Sequence, residues 1–105
     1  MIKSFANKVA RDVYHDTNTR YARKLPRQLH SKARRLLDQV NASPSLDFLR
    51  IPPGNRLEKL SGDMQGFWSL RINERWRIIF RWAEDDALDV KIIDYHQEVP
   101  HVAQK

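Results

Sequence analysis

The stretch WSLRINERWRIIFRW, from Trp68 to Trp82, decides the fold because it reads as two β-strands around a short turn. Apolar and other residues alternate along both halves, which is the period-two pattern of strands with one buried face. The apolar set consists of Trp68, Leu70, Ile72, Trp76, Ile78, Phe80 and Trp82. Facing residues of an antiparallel pair share a side of the sheet, so both halves must turn this set toward one core.

The length of the turn follows from that requirement. A two-residue loop would set Ile72 against Arg75 and break the match between the apolar sides. A three-residue loop, Asn73 to Arg75, sets Ile72 against Trp76 and keeps the match. We therefore predict the three-residue loop, although such loops favour Gly or Asn at the left-handed position that Arg75 would take.

The same register places Arg71 directly opposite Arg77, and Phe67 opposite Arg81, on the other side of the sheet. Like charges in directly opposed positions destabilise a strand pair by a few tenths to about 1 kcal/mol. A bound anion would reverse the sign, because guanidinium groups grip phosphate through paired donors. The sequence therefore predicts an anion site here; the alternative is that both side chains extend into water.

Helical and strand patterns flank the hairpin. Apolar residues at helical spacing predict two N-terminal helices. The apolar stripe of the first helix consists of Ala6, Val9, Ala10, Val13 and Tyr14. That of the second helix consists of Leu29, Ala33, Leu36, Leu37 and Val40. Pro26 fits the first turn of the second helix. Further strands are predicted in MIKSF, RLEKLSG and DALDVKIIDYH. The predicted fold is α+β: a small single domain (1–96) with an antiparallel sheet, two N-terminal helices packed on one face, the other face open, and a polar C-terminal tail (97–105).

The last strand ends in groups that can exchange protons. Leu88, Val90 and Ile92 are expected to face the core, and the strand finishes with Asp94, Tyr95 and His96. These three groups should lie beside the arginine face. Cleavage of RNA by its own 2′-hydroxyl needs a proton acceptor, a proton donor and cations at the phosphate. A phosphate-binding surface without catalysis remains open from these residues alone.

Positive charge is concentrated in the first half of the chain. The net charge is +6, and residues 1–50 hold 11 Lys and Arg against 4 Asp and Glu. Between Arg20 and Arg35 seven basic residues and no acidic one occur: Arg20, Arg23, Lys24, Arg27, Lys32, Arg34 and Arg35. Such a cluster suits a polyanion, either nucleic acid or an acidic protein, and the plainer interpretation is a solvated face.

Composition excludes several classes of site. The chain has no cysteine, so it has no disulfide or thiolate metal site, and no cofactor or metal ion is expected. No apolar run approaches the roughly 20 residues that a membrane helix needs. The N-terminus, MIKSFANKVARD, soon becomes charged and does not read as a signal peptide. A cytoplasmic protein without membrane contact is expected.

Three stretches resemble the HigB-type toxins of the RelE/ParE superfamily, also called plasmid maintenance system killer proteins: PPGNRLEKLSGD (52–63), GFWSLRINERWRIIFRW (66–82) and DVKIIDYH (89–96). The resemblance implies a RelE-like fold and a ribosome-dependent endoribonuclease that cuts messenger RNA. It also implies a HigA-like helix-turn-helix antitoxin as partner, and a toxin that is a monomer when free.

The resemblance also implies roles for residues. Arg77 falls on the catalytic arginine of the family, and Asp94, Tyr95 and His96 fall on its C-terminal triplet. The expected RNA-binding residues are Arg71, Arg75, Arg81, Arg20, Arg23, Lys24, Arg27, Arg34 and Arg35.

One segment departs from the family pattern. Family members carry a histidine and a lysine where this chain has Glu58 and Ser61. Either catalysis rests on Arg77, Tyr95 and His96 with Glu58 in a new role, or the activity is weak. Lys59 is adjacent but should point to the other side of its strand. Two other functions stay open: a toxin of this fold that acts on another target such as DNA gyrase, and a non-catalytic module that binds RNA or the ribosome.

Overall fold

The computed structural model describes residues 1–95, and within that range it contains two α-helices and four β-strands. The helices are α1 (Lys8–Tyr14) and α2 (His30–Ala42); the strands are β1 (Glu58–Lys59), β2 (Trp68–Arg71), β3 (Trp76–Ala83) and β4 (Asp86–Asp94). The strands form one antiparallel sheet in the order β1-β2-β3-β4. The predicted α+β fold is confirmed; His96 and the predicted tail lie outside the described residues.

The helices are attached to the sheet through their ends. Asn7 caps α1, because its Oδ1 accepts a hydrogen bond from the Ala10 N–H at 3.0 Å. Its Nδ2 also donates to the Ile92 carbonyl at 2.8 Å, so one side chain fixes α1 on β4. Helix α2 begins after a 3₁₀ turn (Arg27–Leu29), so Pro26 precedes that turn rather than the α-helix itself. No helix among residues 1–95 is long and apolar enough to cross a membrane.

The central hairpin has the predicted register. Trp68 pairs with Phe80 and Arg71 with Arg77 across β2 and β3. The Ile72 N–H donates to the Trp76 carbonyl at 3.0 Å, which closes the three-residue loop. The alternation of apolar residues was therefore enough to fix how the two strands align.

The side chain of Asn73 stabilises the conformation of the hairpin loop. Arg75 does not take the left-handed conformation expected for it. Instead, Asn73 Oδ1 accepts hydrogen bonds from the Arg75 N–H at 2.9 Å and the Trp76 N–H at 2.8 Å. The Asn side chain thus imitates a backbone turn, and the loop needs no glycine.

The main core lies between the helices and one face of the sheet. Its buried side chains include Val13, Leu25, Leu36, Leu37, Leu49, Leu70, Ile72, Ile78, Phe80, Val90 and Ile92. Trp68, Trp76 and Trp82 are partly buried and pack against it, as predicted. The N-terminal segment runs beside β4, with parallel bridges from Ile2 to Ala87 and from Phe5 to Val90.

The expectation that Leu88 faces the main core is wrong. An irregularity between Ile79 and Arg81 shifts the pairing of β3 with β4, so Arg81 pairs with Leu88. Asp89 has a positive φ of 52° at the same place, which breaks the alternation of the strand. Ala87, fully buried, takes the core position instead.

The other face of the sheet is not wholly open, contrary to expectation. Leu60, Phe67, Ile79 and Ile93 are buried there in a second, smaller cluster, with Met64 and Tyr95 against it. The chain between β1 and β2 folds over this face and covers the two isoleucines. Arg71 and Arg77 lie on the part of this face nearest the hairpin loop.

The core assignment predicts a large loss of stability on replacing Phe80 by Ala. Phe80 is fully buried, and truncation of a buried Phe costs about 3–5 kcal/mol. Phe48 is 57% exposed, so Phe48→Ala is the matched control and should change the free energy of unfolding by less than about 0.5 kcal/mol. Urea unfolding followed by tryptophan fluorescence measures both. Equal losses in the two variants would contradict the assignment of faces.

Candidate functional site

The candidate site lies where β2, β3 and β4 meet the end of the hairpin. Arg71 is the last residue of β2 and Arg77 the second of β3, and they are register partners. Arg77 also faces Ile93 on β4. Tyr95 follows two residues later, so the alternation of side chains brings it to the same side as Arg77.

Arg77 is held from below by an aromatic ring. Its guanidinium carbon lies 4.5 Å from the centre of the Tyr95 ring, within the range of a cation–π contact. One terminal nitrogen, Nη2, donates to the Glu74 carbonyl at a long 3.4 Å. Its Nε is buried and has no hydrogen-bond partner among residues 1–95. A buried donor without a partner in a native protein often marks a place where a ligand binds.

The surroundings of Arg77 disfavour its charge. Burial lowers the pKa of Arg77 below its ordinary value, and the positive charge of Arg71 lowers it further. Tyr95 and Glu58 act in the opposite direction, and a second cation, Arg56, again lowers it. A guanidinium in this position remains charged at neutral pH, so it is stabilised by any anion that binds beside it.

The segment around β1 contributes Glu58 to the same face. Glu58 pairs with Ser69 across β1 and β2 and is exposed. Ser69 is fully buried, and its hydroxyl has no hydrogen-bond partner within the described part of the chain. Lys59 points to the other side, as predicted, with its ammonium 5.9 Å from the centre of the Trp68 ring.

The structure separates Asp94 from this group. Asp94 pairs with Trp76 in the register of β3 and β4, so its side chain points to the helix side of the sheet. There it is buried and forms an ion pair with Arg75 at 2.8 Å. The Arg75 carbonyl accepts a hydrogen bond from the Tyr95 N–H at 2.7 Å, so this pair fixes the backbone at Tyr95. His96 lies outside the described residues.

Arg81 lies on the site's face but farther along β3. Its guanidinium carbon is 4.3 Å from the centre of the Phe67 ring, and its Nε is 3.4 Å from an Asp89 oxygen. Gly66, at a φ of 94°, is necessary for this contact, because an added Cβ would lie 2.8 Å from Arg81 Nη1. Arg81 thus covers the smaller cluster.

The basic residues of the segment 20–35 lie on the helical side of the molecule. Arg34 is structural, since it donates to the Val13 carbonyl at 3.2 Å and to Asp16 at 3.0 Å. Arg20 donates to the Tyr21 hydroxyl at 3.0 Å, and Arg23 donates to Asn18 at 3.1 Å. Lys24, Arg27 and Arg35 are not ion-paired among residues 1–95.

A cavity of about 530 Å³ opens within this basic surface. Its lining includes Asp12, Asp16, Arg23, Arg27, His30, Ser31 and Arg34. Hydrogen bonds from Arg11 and Thr19 lower the pKa of Asp12 and keep this buried carboxylate ionised at the base of the cavity. The cavity and the arginine site therefore belong to opposite sides of the sheet.

Arg56 is a residue near the site that was not predicted from the sequence. It precedes β1 in the quoted motif PPGNRLEKLSGD, but its place near Arg77 depends on how β1 pairs with β2. That pairing was not predicted residue by residue. Among residues 1–95 no group of three or more His, Cys, Asp or Glu side chains is placed to hold a metal ion.

Comparison with known proteins gives a consistent group of relatives. Residues 3–96 match the model of a family described as RelE-like toxin of type II toxin-antitoxin system HigB. The protein named Toxin HigB-1 of Vibrio cholerae serotype O1 is 34% identical over 97 residues, which cover 92% of this chain and 99% of the relative. Endoribonuclease HigB of Proteus vulgaris is 39% identical over 41 residues, which cover 39% of this chain and 45% of that protein.

The fold is similar to that of a chain in the heterotetrameric YoeB-YefM toxin-antitoxin complex from Staphylococcus aureus. The TM-score is 0.57 at 19% identity, over 91% of this chain and 98% of that chain. At that identity the likeness concerns the fold alone.

The opposed arginines predict a repulsive coupling that a double-mutant cycle can measure. We expect Arg71→Ala and Arg77→Ala to be coupled by a few tenths to about 1 kcal/mol, with the sign of repulsion. The free energies of unfolding of the wild type, both single variants and the double variant give the value. The coupling should shrink at high salt, because ions screen exposed charges. A coupling of zero or of attractive sign at low salt would contradict the described geometry.

Proposed function

Because this chain belongs to the family of RelE-like HigB toxins of type II toxin-antitoxin systems, we propose that it is an endoribonuclease that cuts messenger RNA on the ribosome without a metal ion. The relative from Proteus vulgaris is named an endoribonuclease, which supports the reaction class. The observation that carries the proposal is the half-buried Arg77, repelled by Arg71 and stacked on Tyr95. A cation in this position is favourably placed to bind a phosphate group.

Arg77 acts at the scissile phosphate. When the 2′-hydroxyl oxygen attacks the neighbouring phosphorus, negative charge builds up on the non-bridging oxygens of the phosphorane. A planar guanidinium presents paired donors to two of these oxygens, and its partial burial strengthens the interaction. Two nitrogens of Arg77 are the donors that a phosphate would engage. Its Nε has no hydrogen-bond partner among residues 1–95, and its Nη2 makes only a long hydrogen bond to the Glu74 carbonyl.

Proton transfer completes the reaction. The 2′-hydroxyl must lose a proton as the new P–O bond forms, and the departing 5′-oxygen must gain one as the old bond breaks. We assign the proton acceptor to Glu58, which is exposed and whose charge reaches Arg77. We assign the proton donor to His96, which lies outside the described residues, because imidazole transfers protons well near neutral pH. The products are a 2′,3′-cyclic phosphate and a 5′-hydroxyl.

Tyr95 and Asp94 serve this site in different ways. The Tyr95 ring packs against the guanidinium of Arg77 and fixes the position of the guanidinium relative to the sheet. Asp94, on the other side of the sheet, holds Arg75 and so the backbone at Tyr95. Asp94 is therefore a positioning residue in this proposal, and it does not touch the RNA.

The reaction predicts a sharp response to substitution of Arg77. Arg77→Ala should abolish messenger cleavage on programmed ribosomes, a loss of about 10²–10³ or more, because a transition-state donor is removed. Arg77→Lys should restore little, because a point charge cannot reproduce two parallel donors. Glu58→Gln should also lower the rate, because the proposed proton acceptor is lost.

Thermal melts in parallel separate loss of activity from loss of fold. An Arg77→Ala protein that cuts at the normal rate would show that the arginine only holds RNA. Wild-type protein that binds programmed ribosomes but never cuts would favour the non-catalytic binding module.

The basic segment 20–35 supplies a second contact. We propose that this surface binds ribosomal RNA through phosphates, and that a HigA-like helix-turn-helix antitoxin neutralises the toxin by covering it. The cavity beside Arg23 and Arg27 is a concave, basic binding site for an acidic antitoxin segment in this proposal. Since this surface lies across the sheet from Arg77, such an antitoxin would prevent docking on the ribosome without filling the active site. We also propose that the free toxin is a monomer and that it acts in the cytoplasm, where messenger and ribosomes are found.

Replacement of the exposed cations should weaken ribosome binding. Arg23→Ala, Lys24→Ala and Arg27→Ala together should flatten the slope of log affinity against log salt by about 2 to 3, if each side chain contacts one phosphate. Ribosome sedimentation at several salt concentrations measures the slope. Arg50→Ala, which removes an exposed cation paired with Asp47, is the control and should leave the slope unchanged. An unchanged slope in the triple variant would refute this docking surface.

A further inference from the structure

Arg56 lies close to the two opposed arginines, in the segment that leads into β1. Glu58 pairs with Ser69, Arg71 pairs with Arg77, and the positive charge of Arg56 acts on Arg77. Leu57 packs against the main core, whereas its neighbours on either side are exposed. Arg56 therefore lies on the face that holds Arg77.

Among residues 1–95, Arg56, Arg71 and Arg77 form no ion pair with a carboxylate. Arg75, in contrast, is paired with Asp94 and Arg81 with Asp89. No side-chain hydrogen bond of Arg56 or Arg71 occurs within the same residues. Glu58 offsets part of the positive charge at Arg77, but three neighbouring like charges are unfavourable for folding, and a polyanion is the ligand that reverses this.

The backbone at Arg56 is held in an unusual conformation. Its φ is 52°, in the left-handed region that residues other than glycine seldom adopt. The turn before it is fixed by buried Asn55, whose Nδ2 donates to the Leu49 and Ile51 carbonyls at 3.2 Å. Strain of this kind persists only where the surroundings enforce it, and it is often found at binding sites.

We propose that Arg56, Arg71 and Arg77 form one phosphate-binding row, and that the messenger lies across the strands with its scissile phosphate at Arg77 and a neighbouring phosphate at Arg56. This inference rests on the proposed function and adds to it the path of the RNA and a residue that holds it. Arg71 and Arg77 face each other across β2 and β3, so the messenger crosses the strands there and does not extend along β3 toward Arg81, whose guanidinium is engaged by Asp89 and Phe67.

The variant that tests the row is Arg56→Gly. Glycine adopts a positive φ without strain, so the substitution removes the cation while the turn keeps its shape, and the melting temperature should not fall. Arg56→Lys keeps the charge. Arg50→Ala removes one exposed cation outside the row and is the matched control.

The measurement is binding to ribosomes programmed with a messenger that is blocked by a 2′-deoxyribose at the cleavage site. Loss of one phosphate contact on a single strand should flatten the slope of log affinity against log salt by about 0.7 in Arg56→Gly. The slope should stay unchanged in Arg50→Ala and nearly unchanged in Arg56→Lys. A neutral methylphosphonate next to the scissile position should flatten the wild-type slope equally, and should change nothing further in Arg56→Gly.

The row would be overturned if Arg56→Gly bound the messenger with the same slope of log affinity against log salt as the wild type. It would also be overturned if the methylphosphonate linkage and the substitution each flattened the slope independently. Weaker antitoxin binding with unchanged messenger binding would also overturn it, and would assign Arg56 to an acidic antitoxin segment. A wild type that binds the blocked messenger yet never cuts an unblocked one would refute the proposed cleavage, while the slopes would still decide the row. Absence of wild-type binding to the messenger would overturn both.

Discussion

The register of the central hairpin is the constraint on which the rest of the structure depends. Leu70, Ile78 and Phe80 are fully buried on the helix side of the sheet. A slip of one residue would turn this whole set into water, and burial of each such side chain is worth about 1.5–3 kcal/mol. That penalty is several times larger than the repulsion between the facing guanidinium groups of Arg71 and Arg77. The core therefore sets the position of the arginines, whatever their own preference.

This hierarchy explains how a small domain keeps an unfavourable electrostatic arrangement. The apolar face supplies the stability, and the opposite face holds Arg71 and Arg77, which are partly buried and form no ion pair among residues 1–95. Favourable interaction with an anion is then available when RNA binds, because the donors are already oriented. The smaller cluster of Leu60, Phe67, Ile79 and Ile93 supports the arrangement by covering the remaining apolar part of that face.

Two basic surfaces on opposite sides of one sheet divide the work in the proposed function. The segment 20–35 is spread over exposed side chains around a cavity and suits contacts with an extended phosphate backbone. The arginines near the hairpin loop are fewer and more rigidly placed, which suits one defined phosphate. In the proposed function, an inhibitor that covers the first surface would prevent cleavage without entering the second, because the toxin would reach its messenger only after docking on the ribosome.

The sequence by itself determined the α+β class, the hairpin register and the opposition of Arg71 and Arg77, because alternating burial leaves a single alignment of two neighbouring strands. The tertiary structure decided what depends on distant pairing or on local breaks in the alternation. The shifted pairing of β3 with β4 removed Leu88 from the main core. Asp94 was turned away from Arg77 because consecutive residues of a strand face opposite sides. The charge of Arg56 reaches Arg77 because the chain leading into a two-residue strand folds beside β2, and the sequence offers no periodic signal for that strand.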